Sequence, residues 1–432
     1  VAGTFAVVLF VVTLIGVIAA PILIAIVAPG FIGDGGDFEL ATMMLRFTFP
    51  YLFFVSLTAF AGGILNTYGR FAVPAFTPVI LNVSLIAAVY YWAPQLEEPG
   101  MALAYAVFVA GVVQLLFQIP FLLRIRALPR PKWNWRHDGV RRSMRLMLPA
   151  IFGSSVAQIN VLVGGIIASL LGVGKISLLY YSDRLMEFPL GLFGIALATV
   201  TLPYLSRQYS NNAHDEFAAT IDWSMKLVLL IAVPAAVGLV VLSEPLVATI
   251  FYGGAFSVDD VRMTALALQA FAVGLVGFSF VKILAPAYFA RHDTRTPVRM
   301  ALIALAVNFV LSVFLAWYLT RIGYAGNHAG LALAISIAAL LNAWLLYRGL
   351  RKEGVLKLSS GWGALLLQTL VASVVMAIVV NWLNHPTAWW IESASLTRVG
   401  WLTVTIAAGA GTYALVLLVL GLRISKLGMR PR

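Results

Sequence analysis

The sequence contains no cysteine. That excludes disulfides, thiolate metal sites and cysteine nucleophiles. Charge is also scarce: Asp, Glu, Lys and Arg make up 11% of its 432 residues, against roughly 25% in an average soluble domain. The five histidines (His137, His214, His292, His328 and His385) are scattered without metal-ligand spacing and read as solvated loop residues. Neither a metal nor any other cofactor is expected. Acids number only 17 against 29 basic residues, a net charge of +12. A surplus of Lys and Arg on cytoplasmic loops explains that balance better than nucleic acid does. Alternating ten-residue strands, the mark of a membrane β-barrel, are missing too.

Apolar residues are plentiful instead, at 61%. A water-soluble core of that composition leaves large apolar areas exposed, so the excess must face lipid. Runs of about 20 such residues recur along the whole chain, the length a helix needs to cross a ~30 Å hydrocarbon layer. Backbone groups there must be paired internally, so the runs are helices. Twelve are expected, at 1–28, 45–66, 76–93, 101–124, 146–171, 178–205, 223–243, 261–289, 298–319, 329–347, 362–383 and 397–421. The first is long enough to span and reads as a mature helix rather than a signal peptide. Pro50, Pro189, Pro234 and Pro286 fall inside or beside these runs and mark expected kinks.

Orientation follows from the positive charge. With Val1 in the cytoplasm, the inner segments hold most of the 29 basic residues, chiefly between Arg124 and Arg145 and between Arg348 and Lys357. The outer segments hold most of the acids, among them Asp34, Glu97, Glu244 and Glu392. Both chain ends are therefore expected in the cytoplasm.

The chain also repeats itself. Ile64-Leu65 followed by Thr77-Pro78-Val79 returns at the same spacing as Ile283-Leu284 followed by Thr296-Pro297-Val298. Gly100-Met101-Ala102-Leu103-Ala104 returns as Gly330-Leu331-Ala332-Leu333-Ala334, and Pro21 to Phe31 resembles Pro245 to Phe256. These matches pair the first four helices with the seventh to tenth. A shift of six helices preserves direction, so the repeat is parallel about an axis along the membrane normal. The expected organisation is an N-terminal lobe at 1–125 that lacks the first two helices of its unit, and a basic cytoplasmic linker at 126–145. A six-helix C-terminal lobe follows at 146–350, with two additional helices at 361–422. Two helices are expected to precede Val1.

Three charges fall inside one span: Asp183, Arg184 and Glu187. Spacings of three and four put them near one helix face. That face must look into the bundle or a wet cavity, because each charge facing lipid costs about 2.5–3.5 kcal/mol on insertion scales. One reading is an ion pair that ties this helix to a neighbour. The other is an anion-binding arginine oriented by two carboxylates, favoured because intramembrane ionisable groups usually serve function. Lys226 and Lys282 read as snorkelling side chains. Asn82, Gln114, Gln158, Asn160 and Asn308 suit either a polar path or interhelical hydrogen bonding. Trp92, Trp317, Trp389 and Trp390 read as interfacial anchors. Gly174-Lys175 fails as a phosphate loop, since Ser169 and Ile176 occupy positions that need Gly and Ser or Thr.

The segment Asp183-Arg184-Leu185-Met186-Glu187-Phe188-Pro189 resembles the most recognisable stretch of the MviN/MurJ-type lipid II flippases. Gly63-Ile64-Leu65-Asn66-Thr67, Arg70-Phe71, Pro74-Ala75-Phe76, Leu284-Ala285-Pro286 and Thr296-Pro297-Val298 are similar to the same family. The resemblance implies the fold of the multidrug/oligosaccharidyl-lipid/polysaccharide exporter superfamily: an all-α polytopic membrane protein with two lobes around a central cavity. It implies a transporter of the bacterial inner membrane, not an enzyme. Its substrate would be lipid II, moved from the cytoplasmic to the periplasmic leaflet. Arg184 would be the essential cavity arginine, Asp183 and Glu187 its acidic neighbours, and the last two helices a groove for the undecaprenyl tail. Lipid II and membrane lipids are the partners implied. A drug or polysaccharide exporter of the same superfamily is the first alternative. A membrane glycosyltransferase of cell-wall assembly is the second, although the outer loops are short and lack a catalytic carboxylate arrangement.

Overall fold

A computed structural model of the chain describes residues 2–33, 37–127, 138–172 and 174–422. Asp34, the linker positions Lys132, Trp133 and Trp135, the terminal residues Arg423, Lys426, Arg430 and Arg432, and the side chain of Asn160 lie outside the described residues. The fold is all-α, and the described residues hold no strand beyond an isolated bridge between Gly253 and Phe256.

The first expected span is a bent pair, α1 (Ala2–Ile18) and α2 (Ala20–Val27), that turns by 70°. Pro21 sits in the first turn of α2, where its missing N–H costs nothing and its fixed φ suits a fresh start. The second span begins earlier than expected as α3 (Asp37–Thr48), is interrupted at Phe49-Pro50, and continues as α4 (Tyr51–Thr67). The next two are α5 (Ala72–Tyr91) and α6 (Met101–Arg124). The fifth, α7 (Asp138–Leu170), starts well before its apolar part because Asp138, Arg141, Arg142 and Arg145 lie on a helical extension. The sixth is α8 (Lys175–Pro189), a π-helical turn at Leu190–Ile195, and α9 (Ala196–Ser210). Pro189 lacks the N–H that a regular ladder needs, and the wide turn follows directly.

The seventh span is again divided: α10 (His214–Val241) breaks at Leu242 and is followed by α11 (Ser243–Phe251), with Pro245 in the first turn of the second piece. α12 (Val258–Phe289) opens on a capping box in which Ser257 N–H donates to Asp260 at 2.8 Å and Asp260 N–H donates to Ser257 Oγ at 3.2 Å. α13 (Arg295–Arg321), α14 (Ala329–Lys352), α15 (Trp362–Leu383), a short α16 (Thr387–Glu392) and α17 (Ser395–Val419) complete the chain. Pro234 and Pro286 are absorbed inside continuous helices. Among the described residues nine helices are long and apolar enough to cross a membrane, ten with the bent α1–α2 pair. The other two expected spans, on α7 and on α8–α9, fall outside that count of the described residues: Val161–Leu170 of α7 is apolar but shorter, and α8 carries Asp183, Arg184 and Glu187 and gives way to the π turn.

The chain forms two compact units, Val1–Leu162 and Val163–Arg432. In the first, α1 and α2 pack on α3 and α4, both of which pack on α6, and α5 also packs on α6. Gly111 makes the contact close, since a Cβ there would stand 2.8 Å from the Tyr51 ring. In the second unit α10 and α11 pack on α12, α12 on α14, and α13 on α14. The neighbour order of the first four spans thus recurs in the seventh to tenth, as the sequence repeat requires. α12 is the axis of the second unit, with Leu268, Phe271, Leu275, Leu284 and Tyr288 buried. Cβ atoms added at Gly274 and Gly277 would come within 2.6 Å and 2.7 Å of Ser336 and Leu340 on α14, so the two backbones touch. The outer faces are apolar, as lipid demands: Phe309, Val310, Phe314 and Trp317 on α13, and Leu367, Val374, Ile378 and Trp382 on α15, are exposed.

Candidate functional site

Gly174 precedes α8 with a positive φ of 80°, a conformation that favours glycine, and the helix then runs uninterrupted to Pro189. Its buried face is Leu178, Ser182 and Met186, with Ser182 Oγ donating to the Thr264 carbonyl of α12 at 2.8 Å. That anchoring sets which side of the helix stays open. Ser177, Tyr180, Arg184, Glu187 and Phe188 recur at spacings of three and four along the open side, and all are exposed. Arg184 Nη1 donates to Glu187 Oε2 at 2.6 Å, with the two side chains about half exposed (54% and 50%). The guanidinium also lies 4.9 Å from the centre of the Tyr180 ring. Asp183 is half-buried beside this stripe, and Arg184 pairs with Glu187 rather than with Asp183.

A hydroxyl, a guanidinium and a carboxylate on one open helix face do not belong in hydrocarbon. The face therefore meets water or a polar ligand. Glu187 engages one guanidinium nitrogen, and the planar fork keeps further N–H groups for a second acceptor. Such an arginine suits a phosphate or pyrophosphate, which it can bind bidentately.

Other polar residues resolve into packing. Gln114 is buried, accepts from Tyr51 and donates to the Thr77 carbonyl at 3.1 Å, and Asn308 is buried beside Ser312. Both are interhelical or intrahelical glue, whereas Asn82 and Gln158 are exposed. A groove of about 420 Å³ between the end of α7 and α13 is lined mostly by apolar side chains such as Leu170, Leu171, Val313 and Ala316, with Thr320 and Arg321 as its polar members.

Three expectations are corrected. Lys226 does not snorkel: it pairs with buried Asp222 at 3.1 Å and bonds Ser359. Asp222 further accepts from Ser359 Oγ at 2.6 Å and Trp362 Nε1 at 2.7 Å, so α10 is fastened to the start of α15. His328 is not solvated but fully buried, one ring nitrogen 3.0 Å from the Met263 carbonyl. Trp390 is no interfacial anchor: it is fully buried and donates to Asn384 at 3.0 Å. A second fastening joins α17 to α11, where buried Arg398 donates to the Ala248 carbonyl at 2.8 Å and lies over the Tyr252 ring. The role of Arg398 was not legible in the sequence, because neither its burial nor its carbonyl partner leaves a local signal. The Asp222–Lys226 spacing of four was legible as a helix pair, but Ser359 and Trp362 were not.

The family model described as lipid II flippase MurJ matches residues 1–400. A Vibrio cholerae protein named probable lipid II flippase MurJ is 44% identical over 432 residues, covering 98% of this chain and 81% of its own. A Burkholderia cenocepacia protein named lipid II flippase MurJ is 40% identical over 420 residues, covering 96% and 80%. Among solved structures, a lipid II flippase MurJ in an inward closed conformation matches with a TM-score of 0.78 at 22% identity, over 96% of this chain and 81% of that one. An inward-facing multidrug resistance MATE family transporter matches with a TM-score of 0.68 at 17% identity, over 82% and 81%. At those identities the two structures attest the fold alone.

Proposed function

Since the chain belongs to the lipid II flippase MurJ family, we propose that it moves lipid II from the cytoplasmic to the periplasmic leaflet of the bacterial inner membrane. It is a transporter rather than an enzyme, and a multi-pass membrane protein. The observation that carries the reading is the open polar stripe on α8. Arg184 there holds N–H groups beyond the one that Glu187 takes, and a pyrophosphate offers oxygens in the spacing a guanidinium fork matches. Glu187 orients the arginine, and Asp183 adds negative charge on the adjacent side. Together these three form the substrate-binding site in this reading.

The remaining organisation follows the repeat. An N-terminal lobe at 1–125 and a C-terminal lobe at 146–350 are joined by the basic segment 126–145 and rock against each other, exposing the site to each leaflet in turn. The helices within 361–422, fastened to α10 and α11 by Asp222 and Arg398, offer the lipid tail a groove. Both chain ends lie in the cytoplasm, on the side where basic residues concentrate. The Asp183–Pro189 segment argues against a drug or polysaccharide exporter of the same fold, and a glycosyltransferase finds no support in the family.

The test is lipid II exposure on the outer leaflet of cells or vesicles carrying the intact protein. Arg184→Ala should abolish it at unchanged protein level, and Arg184→Lys should restore it only in part, because a point charge cannot reproduce the bidentate fork. Full transport by Arg184→Ala would end the proposal.

A further inference from the structure

The open face of α8 is graded along its length. Ser177 and Tyr180 stand at one end, Arg184 and Glu187 in the middle, and Phe188 at the other, followed by Leu192 in the π turn beyond the helix, all exposed. Tyr180, Arg184 and Phe188 follow one another at intervals of four residues, about 6 Å of helix rise each. Neither aromatic is filling a core: Tyr180 is 54% exposed and Phe188 74%. A membrane protein can leave a phenylalanine open to lipid, but it shares this face with an arginine and a glutamate, which cannot be so placed. The Tyr180 ring carries the Arg184 guanidinium 4.9 Å from its centre and has a second aromatic neighbour. Tyr181 meets it edge-on at 6.0 Å and is itself packed against Phe251 at 4.8 Å and Phe256 at 5.6 Å, from α11 and the turn after it. An exposed aromatic packed between a charged fork and a second ring is the form of a preorganised ligand contact.

We infer that this stripe reads a glycosyl–pyrophosphate–prenyl ligand in order: Tyr180 stacks on the phosphate-linked sugar, Arg184 binds the pyrophosphate, and Phe188 meets the first isoprene units. The inference rests on the proposed pyrophosphate role of Arg184 and extends it to both neighbours of the pyrophosphate. A sugar directly esterified to a phosphate lies one ring away from the bound oxygens, comparable to the one-turn step from Arg184 to Tyr180. Its face of C–H bonds suits the aromatic plane, while Ser177 offers a hydroxyl to its polar edge. On the far side the chain of the ligand turns apolar, as the stripe does at Phe188 and Leu192. Tyr180 and Phe188 are thus specificity residues, discriminating glycosylated prenyl pyrophosphates from bare phosphates and from other anions.

The experiment measures binding of two ligands, lipid II and undecaprenyl pyrophosphate, to the same preparation of the intact purified protein, and of a water-soluble glycosyl pyrophosphate without a prenyl chain. Taking affinity ratios on one preparation cancels any loss of folded protein. Tyr180→Ala should weaken lipid II by roughly tenfold, about 1.4 kcal/mol, and leave undecaprenyl pyrophosphate nearly unchanged, while Tyr180→Trp retains the preference. Phe188→Ala should weaken both prenyl ligands and spare the water-soluble one. Equal loss of lipid II and undecaprenyl pyrophosphate in Tyr180→Ala, or no loss of either, would overturn the inference. So would unchanged binding of the prenyl ligands in Phe188→Ala. An Arg184→Ala protein that binds all three ligands normally would instead sink the pyrophosphate reading, while the Tyr180 and Phe188 ratios still decide the order of recognition.

Discussion

Arg184 and His328 show how differently a lone polar residue can be used within one membrane helix bundle. Arg184 is open, paired with Glu187 on one nitrogen and free to take a further acceptor. His328 is closed in at the start of α14, on the Met263 carbonyl, with its other ring nitrogen lacking a partner among the described residues. Burial pushes its pKa down to about 4, against a weak upward pull from the Met263 hydrogen bond, and the nearby Lys175 ammonium lowers it further. The folded protein therefore keeps this imidazole neutral, whereas the unfolded chain protonates it below about 6.5. The unfolded state binds more protons through that window, so the contribution of His328 is fully present above about 6.5 and is lost as pH falls towards 4. Thermal stability in detergent should drop between pH 7 and pH 5, and His328→Leu should flatten that difference. An unchanged pH dependence in the variant would mean that other groups control it.

At the scale of elements, the two C-terminal helices are fastened to α10 and to α11. Asp222, Lys226, Ser359 and Trp362 form one joint, and Arg398 with the Ala248 carbonyl forms the other. Breaking a buried ion pair from one side costs about 3–5 kcal/mol, because the remaining charge is stranded. Asp222→Asn should therefore lower the melting temperature strongly, and Asp222→Asn with Lys226→Met should recover much of it. A single variant as stable as the parent would show that the joint carries little. The α12–α14 contact admits a sharper test, since Gly277 faces the α14 backbone at 2.7 Å from an added Cβ. Gly277→Leu should reduce the amount of folded protein severalfold, whereas Gly363→Leu, which faces open space, should not.

These elements also mark where the sequence was readable. Helices announced themselves as apolar runs, and Thr77-Pro78-Val79 with its partner Thr296-Pro297-Val298 disclosed a repeat that the packing of α3–α6 and α12–α14 follows. The charges of α8 stood out because they interrupt an apolar span. What stayed hidden was pairing across long separations: Ser359 reaches Asp222 over 137 positions, and nothing local in either segment points to the other. Burial was equally hidden for His328 and Trp390, whose neighbours in sequence look like ordinary loop and span-end residues.

For the whole molecule, the lack of cysteine turns orientation into a clean measurement. Single cysteines at Asn212, in the turn before α10, and at Tyr324, in the turn before α14, should be labelled by a membrane-impermeant thiol reagent from opposite sides, the first from the cytoplasm only. Labelling of both from one side would contradict the alternation of spans and the cytoplasmic placement of the ends.

In the proposed function Arg184 serves a pyrophosphate rather than the stability of α8. The most direct measurement is lipid II translocation by the intact protein carrying both Arg184→Ala and Glu187→Gln, with folded protein quantified in the same membranes. A folded, inserted and inactive protein is expected, since removing the partner charge cannot supply a lost anion-binding fork. Restored transport in that charge-free pair would show that the two residues only balance each other, and would contradict the claim.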